Sequence, residues 1–346
     1  MRYLWTNCAC FGLALLFFPT TSSAQAPVEL ELITEPGFPL TGSRRWLRTL
    51  EDIGVTGLRI RAAKSGETGG IKNVGNESQP RYVVKGILSA KNQLRVPGGT
   101  FSVNDVAGIK RWVAKLKADG VEGLFARTGA FGLTGKQLLD LHKRLSRPVT
   151  KSTKDEKATD VASKIIAGID IRVVIDPATR ATFEGDEKVS TELLGMSSGT
   201  ALAAILRPLG LVVVPQRPDG GATFLVITDA TKSREIWPVG WPPEKSTGET
   251  MPKLLDFLNV EIDDFALSDA LNSIQERLEA PFLYDENNFA RHGIDASQVN
   301  VSLPKMRTYY KKVIDRLLLQ VKPRLTSEVR VDEAGKPFLW ITTMKQ

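Results

Sequence analysis

Sulfur and imidazole are scarce in this chain. Its 346 residues include two cysteines, Cys8 and Cys10, both near the N-terminus, and two histidines, His142 and His292. If the N-terminal stretch is removed on export, neither a disulfide nor a thiol nucleophile remains. The histidines show no His-x-x-x-His or Glu-x-x-His spacing, so no metal-binding helix motif is present. A Gly-x-Ser-x-Gly elbow, a P-loop and a dinucleotide fingerprint are also missing. Thr68-Gly69-Gly70 and Pro97-Gly98-Gly99 read as turns, because neither opens a strand–loop–helix unit with the further glycines a phosphate cradle needs. Beyond the N-terminus, no apolar run is long enough to cross a bilayer. The formal charge of +7 is scattered along the chain rather than clustered. That pattern favours solubility over binding to nucleic acid. The expectation is a protein with no cofactor, no metal and no catalytic residue.

What is present begins with an address. Arg2 precedes an apolar run at 11–18, and Ser22-Ser23-Ala24 or Ala24-Gln25-Ala26 supplies a small-residue cleavage site. A signal peptide over 1–24 is expected, because cutting after Ala26 would leave Pro27 directly at the new terminus. Removing it deletes one Arg and no acid, leaving 45 basic against 39 acidic residues, a net of +6. The mature protein is expected in the periplasm or outside the cell.

Residues 25–130 form a first unit, a small α+β domain. An alternating strand at 28–33 leads to a helix capped at Ser43 with Trp46, Leu47, Leu50 and Ile53 inward. A strand follows at 58–62, a surface loop at 66–80, and a hairpin from 82–88 and 93–96. A second helix starts at a capping box of Ser102 and Asp105, carries Val106, Ile109, Val113 and Leu116 inward, and ends at Gly120. Asn76-Glu77-Ser78 matches a glycosylation acceptor, which matters only in a eukaryotic secreted protein.

The rest of the chain states one pattern twice. In the first copy, helices at 133–147 and 155–168 precede a strand at 172–175. A strand at 189–193 and a helix with Leu202, Ile205, Leu206 and Leu209 on one stripe follow, ended by Pro208 and Gly210. A hairpin, 211–214 and 223–228, turns at Pro218-Asp219-Gly220-Gly221. The second copy runs through a strand at 259–265, a helix at 267–279 and a strand at 282–285, then an irregular 286–297. A strand at 299–303, a helix carrying Ile314, Leu317, Leu318 and Val321, and a hairpin of 325–331 and 337–342 complete it. Between the copies, residues 232–247 carry Trp237, Pro238, Trp241, Pro242 and Pro243, which suits an extended connector whose indoles pack on neighbouring domains.

Leu194, Met196, Thr200, Ala201, Leu202, Ile205, Leu206, Gly210 and Leu211, ahead of a final hairpin, resemble the short N-terminal domain of secretins and TonB-dependent receptors. The resemblance covers residues 148–229 and, more weakly, 258–343, where Tyr309-Tyr310-Lys311-Lys312 replaces the small residues of the helix start. It implies modules at 131–231 and 248–346, joined by the 232–247 linker, that dock to partner proteins or stack with copies of themselves. It also implies that no catalytic residue is carried over. Secretins and receptors carry a pore or barrel behind these modules; none follows in this sequence, so action without one is expected.

Candidate functional residues are few. His142, beside Lys143 and Arg144, is expected to be solvated or to cap a helix; His292 lies in the irregular stretch. The pairs Asp263-Asp264 and Asp285-Glu286 suit a helix N-terminus and a strand end better than paired acid–base work. Arg307, Tyr309, Tyr310 and Lys311, with Lys312, form an aromatic–basic group, the residue types enriched in interfaces. With Trp237 and Trp241 they are the partner-binding candidates. The leading expectation is an exported, non-enzymatic interaction or assembly module of the bacterial envelope, its partners being envelope proteins or further copies of itself. The alternatives are a secreted hydrolase, with its site in the N-terminal domain or at 286–297, and a glycan or small-ligand binder using Trp237 and Trp241.

Overall fold

A computed structural model describes residues 26–344 apart from Ser65, Glu77 and Ser78. The signal expected at 1–24 lies outside them, as do two residues of the Asn76-Glu77-Ser78 acceptor. The fold is α+β and divides into two compact units, the first ending at Leu124 and the second beginning at Phe125.

In the first unit, β1 (Val28–Thr34) and α1 (Gly42–Asp52) lead to β2 (Thr56–Ala62). Strands β3 (Gly70–Asn73), β4 (Tyr82–Leu88), β5 (Gln93–Val96) and β6 (Gly99–Ser102) follow, then α2 (Val106–Phe125). One sheet in the order β2-β1-β4-β5-β6 holds them, with β3 antiparallel to β4. The stretch expected as a loop at 66–80 thus contains a strand. Val28, Leu30 and Leu32 alternate into the core against Trp46, Leu50, Ile109, Val113 and Leu116. Two caps differ from expectation. Thr41, not Ser43, precedes α1, and Asp105 alone caps α2, its Oδ1 accepting from Gly108 N–H at 2.9 Å. Gly120, at φ 70°, breaks α2, and a short helical continuation runs on to Phe125.

The second unit opens with α3 (Gly135–Leu145), whose N-cap Thr134 forms a capping box with Gln137. Then come α4 (Ala158–Gly168), β7 (Val173–Ile175), the short α5 (Arg180–Phe183) and α6 (Ser198–Leu206). A hairpin of β8 (Leu211–Gln216) and β9 (Phe224–Asp229) completes the first half. The second half runs α7 (Thr247–Thr250), β10 (Phe257–Ala266), α8 (Leu267–Leu278), β11 (Phe282–Tyr284) and α9 (Glu286–His292). It ends with β12 (Asn300–Tyr309), α10 (Tyr310–Leu318), β13 (Leu325–Val331) and β14 (Pro337–Thr343).

The two halves build three-stranded sheets of the same connectivity. β9 lies between β7, parallel, and β8, antiparallel; β14 lies between β11, parallel, and β13, antiparallel. The second half has a further antiparallel ribbon, β10 with β12. The first half has no such ribbon, and the strand expected at 189–193 does not form. Val189 and Leu193 still point inward, but their backbone finds other partners: Val189 N–H donates to Glu156 O at 2.9 Å, and Leu193 N–H to Thr153 Oγ1 at 2.8 Å. Side chains and loop carbonyls have replaced the ladder. Residues 286–292, expected to be irregular, form α9, with Phe289 buried.

The middle sheet serves two cores. On β14, Phe338 and Trp340 enter the core of the first half, while Leu339 and Ile341 enter that of the second. On β11, Leu283 and Phe282 divide in the same way. A strand buried on both faces loses the polar alternation of a half-buried one, and Phe338-Leu339-Trp340-Ile341 reads accordingly as one apolar run. Removing Phe338, which is 0% exposed, should therefore damage the half to which it does not belong in sequence. Phe338→Ala is expected to cost about 3–5 kcal/mol and Leu206→Ala about 2–5 kcal/mol. Chemical denaturation of each variant checks this, and an unchanged midpoint would show that the stripe or the strand faces elsewhere.

Candidate functional site

The turn between β13 and β14, Asp332-Glu333-Ala334-Gly335-Lys336, reaches from the second half onto the N-terminus of α6 in the first. Asp332, 3% exposed, accepts from Ser197 N–H at 2.9 Å through Oδ2. Its Oδ1 accepts from Ala334 and Lys336 N–H within the turn at 3.0 and 2.8 Å. Glu333 Oε2 accepts from Thr200 N–H at 3.0 Å and from its hydroxyl at 2.9 Å, and Oε1 accepts from Trp237 Nε1–H at 2.7 Å. Lys336 Nζ returns a bond to Gly195 O at 3.2 Å. A helix N-terminus offers unpaired N–H groups and a partial positive charge, so two carboxylates are the matching ligands. Burial nevertheless pushes the Glu333 carboxyl above its ordinary value, the donors from Trp237 and Thr200 working against that rise. Gly199 is required in this clamp: a Cβ there would meet Glu333 Oε1 at 2.5 Å and Trp237 Nε1 at 2.9 Å.

The connector is fastened to both halves. Trp237 N–H donates to Val213 O of β8 at 2.8 Å, and Trp241 and Val331 exchange backbone bonds of 2.7 and 2.9 Å. Gly240, at φ 68°, lies where a Cβ would meet the Phe338 ring at 2.3 Å. Trp237 is 2% exposed and stacks on Phe131 at 5.7 Å between ring centroids. It is an interior residue, which removes it as a partner-binding candidate. Trp241 stands edge-on to it at 5.0 Å. His142, expected in solvent, is half-buried against both indoles, at 5.1 and 4.5 Å. Burial lowers its pKa from the ordinary histidine value, which favours the neutral ring. Trp241, His142, Pro242, Pro243, Glu244 and Val331 are among the residues that line a cleft of about 490 Å³.

The aromatic–basic group lies at one end of the β10–β12 ribbon. The register pairs Phe257 with Tyr309 and Asn259 with Arg307. Phe257 is 67% exposed, with the Arg307 guanidinium 5.8 Å from its ring centre and the Tyr309 ring edge-on at 6.1 Å. Phe257 belongs to this group but escaped the sequence analysis, because only pairing across the ribbon brings residues 257 and 309 together. Tyr310 packs against the second core, and Lys311 is paired with Asp315 at 2.5 Å. The group therefore presents Arg307, Tyr309 and Phe257, with Tyr310 and Lys311 behind them.

The remaining candidates fall into structural roles. Asp264, at φ 52°, sits at a ribbon irregularity and accepts from Asn300 Nδ2 at 2.9 Å. Asp285, 6% exposed, accepts from Asn288 and Thr342 at 2.7 and 2.9 Å. Glu286 accepts from Ser190 Oγ at 2.9 Å, and His292 is exposed at the end of α9. Among the described residues no group of three or more His, Cys, Asp or Glu is placed to hold a metal ion, and no helix is long and apolar enough to cross a membrane.

Deleting the clamp should leave donors unpaired rather than merely remove a contact. Glu333→Ala strips Trp237 Nε1 and Thr200 N–H of their acceptor and is expected to cost about 1–3 kcal/mol. Glu244→Ala, at an exposed position nearby, should stay within about 0.5 kcal/mol. Equal losses in the two variants would contradict the clamp. Comparison of the chain with protein-family models, with curated proteins and with solved structures gives no match.

Proposed function

We propose that this is an exported protein of the bacterial envelope that acts by docking to other proteins of that compartment, without chemistry of its own. The observation that carries the reading is the patch of Phe257, Arg307 and Tyr309. A large aromatic ring left 67% exposed, with a guanidinium over it and a second ring beside it, has the composition of an interface centre. It stands on paired strands rather than on a loop, so little side-chain or backbone freedom is lost on binding. Lys305 and Lys312, also exposed, add positive charge nearby, which favours a partner segment that combines apolar and acidic residues.

Three further points support the reading. The resemblance to the short N-terminal domain of secretins and TonB-dependent receptors implies partner docking. The like connectivity of the two sheets suits a duplicated module of that kind. The charge and apolar run of the first 24 residues suit export.

Capture of envelope proteins on the immobilised mature chain tests the proposal. A central interface residue commonly costs about 2 kcal/mol or more, so Phe257→Ser and Arg307→Glu are each expected to reduce capture of the specific partner by at least roughly tenfold. Their melting curves should match the parent's. Undiminished capture, or a loss that only follows a fall in the melting midpoint, would contradict the patch. The native N-terminus is expected near Gln25; a start at Met1 in a cytosolic fraction would remove the export part.

A further inference from the structure

We infer that one end of the first unit is a docking surface for an anionic phospholipid bilayer, a surface that shares no residue with the patch on the ribbon. At that end the fold gathers basic residues that are scattered in sequence. Arg45 of α1 donates through Nη2 to Asn104 Oδ1, just ahead of α2, at 2.5 Å. The turn at 89–92 lies against the start of α1: Trp46 Nε1–H donates to Asn92 Oδ1 at 2.9 Å, and a Cβ on Gly42 would meet the same oxygen at 3.0 Å. Arg44, Arg45 and Arg48 on α1, Lys91 in the turn, and Lys110 and Arg111 on α2 are all exposed. None of these carries an ion pair among the described residues. The acids nearest to them in the loops are engaged: Glu35 pairs with Arg95, and Asp105 caps α2. Glu51, Asp52, Asp119 and Glu122 lie toward the far ends of the two helices.

A second feature points to a bilayer rather than to a soluble polyanion. Leu40, 98% exposed, is the most exposed large hydrophobic residue among those described. A single exposed leucine is common on soluble proteins, and this one is set apart by its support. Its turn closes with Gly42 N–H donating to Pro39 O at 2.9 Å, and Phe38 packs on the core beneath. Pro39 fixes the backbone just ahead of it. Leu40 is thus held out on a braced turn, one helical turn before Arg44 and Arg45. A soluble polyanion makes no use of an apolar side chain. A bilayer takes both features: the leucine enters the acyl boundary and the cations meet the lipid phosphates. The sheet face away from the helices lacks this character, since Arg61 pairs there with Glu31 and Glu67, and Lys85 with Glu67.

Sedimentation of the mature chain with vesicles tests the inference. Vesicles of phosphatidylglycerol and phosphatidylcholine in equal parts should bind it saturably, at least about tenfold more tightly than phosphatidylcholine alone. Molar salt should reduce the binding to the phosphatidylcholine level. Arg44→Glu combined with Arg48→Glu should weaken it by at least roughly tenfold, and Leu40→Ser by about fivefold. Lys72→Glu makes the same kind of charge change on the other sheet face, because Lys72 pairs with Val83 and not with the buried Val84. It should leave binding near the parent's. Melting curves establish that each variant is folded. Equal binding of both vesicle types, parent affinity in folded Leu40→Ser or in the folded double variant, or an equal loss in Lys72→Glu would overturn the inference. So would capture of soluble dextran sulfate with no binding of vesicles.

Discussion

Two carboxylates on one β-turn hold the second unit together. Asp332 and Glu333 leave the second half of that unit and terminate on the first-turn amides of α6, in the first half. Such an arrangement is unforgiving in both directions. The amides need acceptors because the helix leaves them unpaired, and the carboxylates need donors because they have left water. Glu333 ties in a third element through Trp237, so the connector between the halves cannot swing away while the clamp is closed. The apolar layers agree with this. β14 gives alternate side chains to two cores, and neither core is complete without it.

The local patterns that make helices and hairpins were legible because each follows from spacing within a few residues. Leu202, Ile205 and Leu206 lie on one helical face and are buried, and the hairpin expected from 325–331 and 337–342 forms as β13 and β14. Legibility failed where the partner of a residue is distant in sequence. Val189 and Leu193 alternate as a strand would, yet no strand lies beside them, and Thr153 takes the backbone instead. His142 sits among charges on its own helix, but the two indoles of residues 237 and 241 cover it. Nothing local to Glu333 marks it as the acceptor for Thr200, which is distant in sequence. The aromatic–basic group was visible at 307–311, and its most exposed ring was not, because Phe257 is paired across the ribbon.

On the proposed reading, the unit separates stability from recognition. Its interior polar groups are held by the clamp, while the proposed docking residues lie on the β10–β12 ribbon. Phe257 and Arg307 stand on a ribbon that neither three-stranded sheet continues. Changes on the ribbon surface should therefore alter binding before they alter the fold.

The central claim is that the turn and the shared sheet make both halves one cooperative body. Native-state hydrogen exchange of the mature chain, read at the amides of Leu206 in α6 and Leu317 in α10, measures this most directly. The account predicts the same opening free energy at both, shifted together by denaturant. A lower opening free energy for α10 with α6 still protected, or the reverse, would show two halves that open independently and would contradict it.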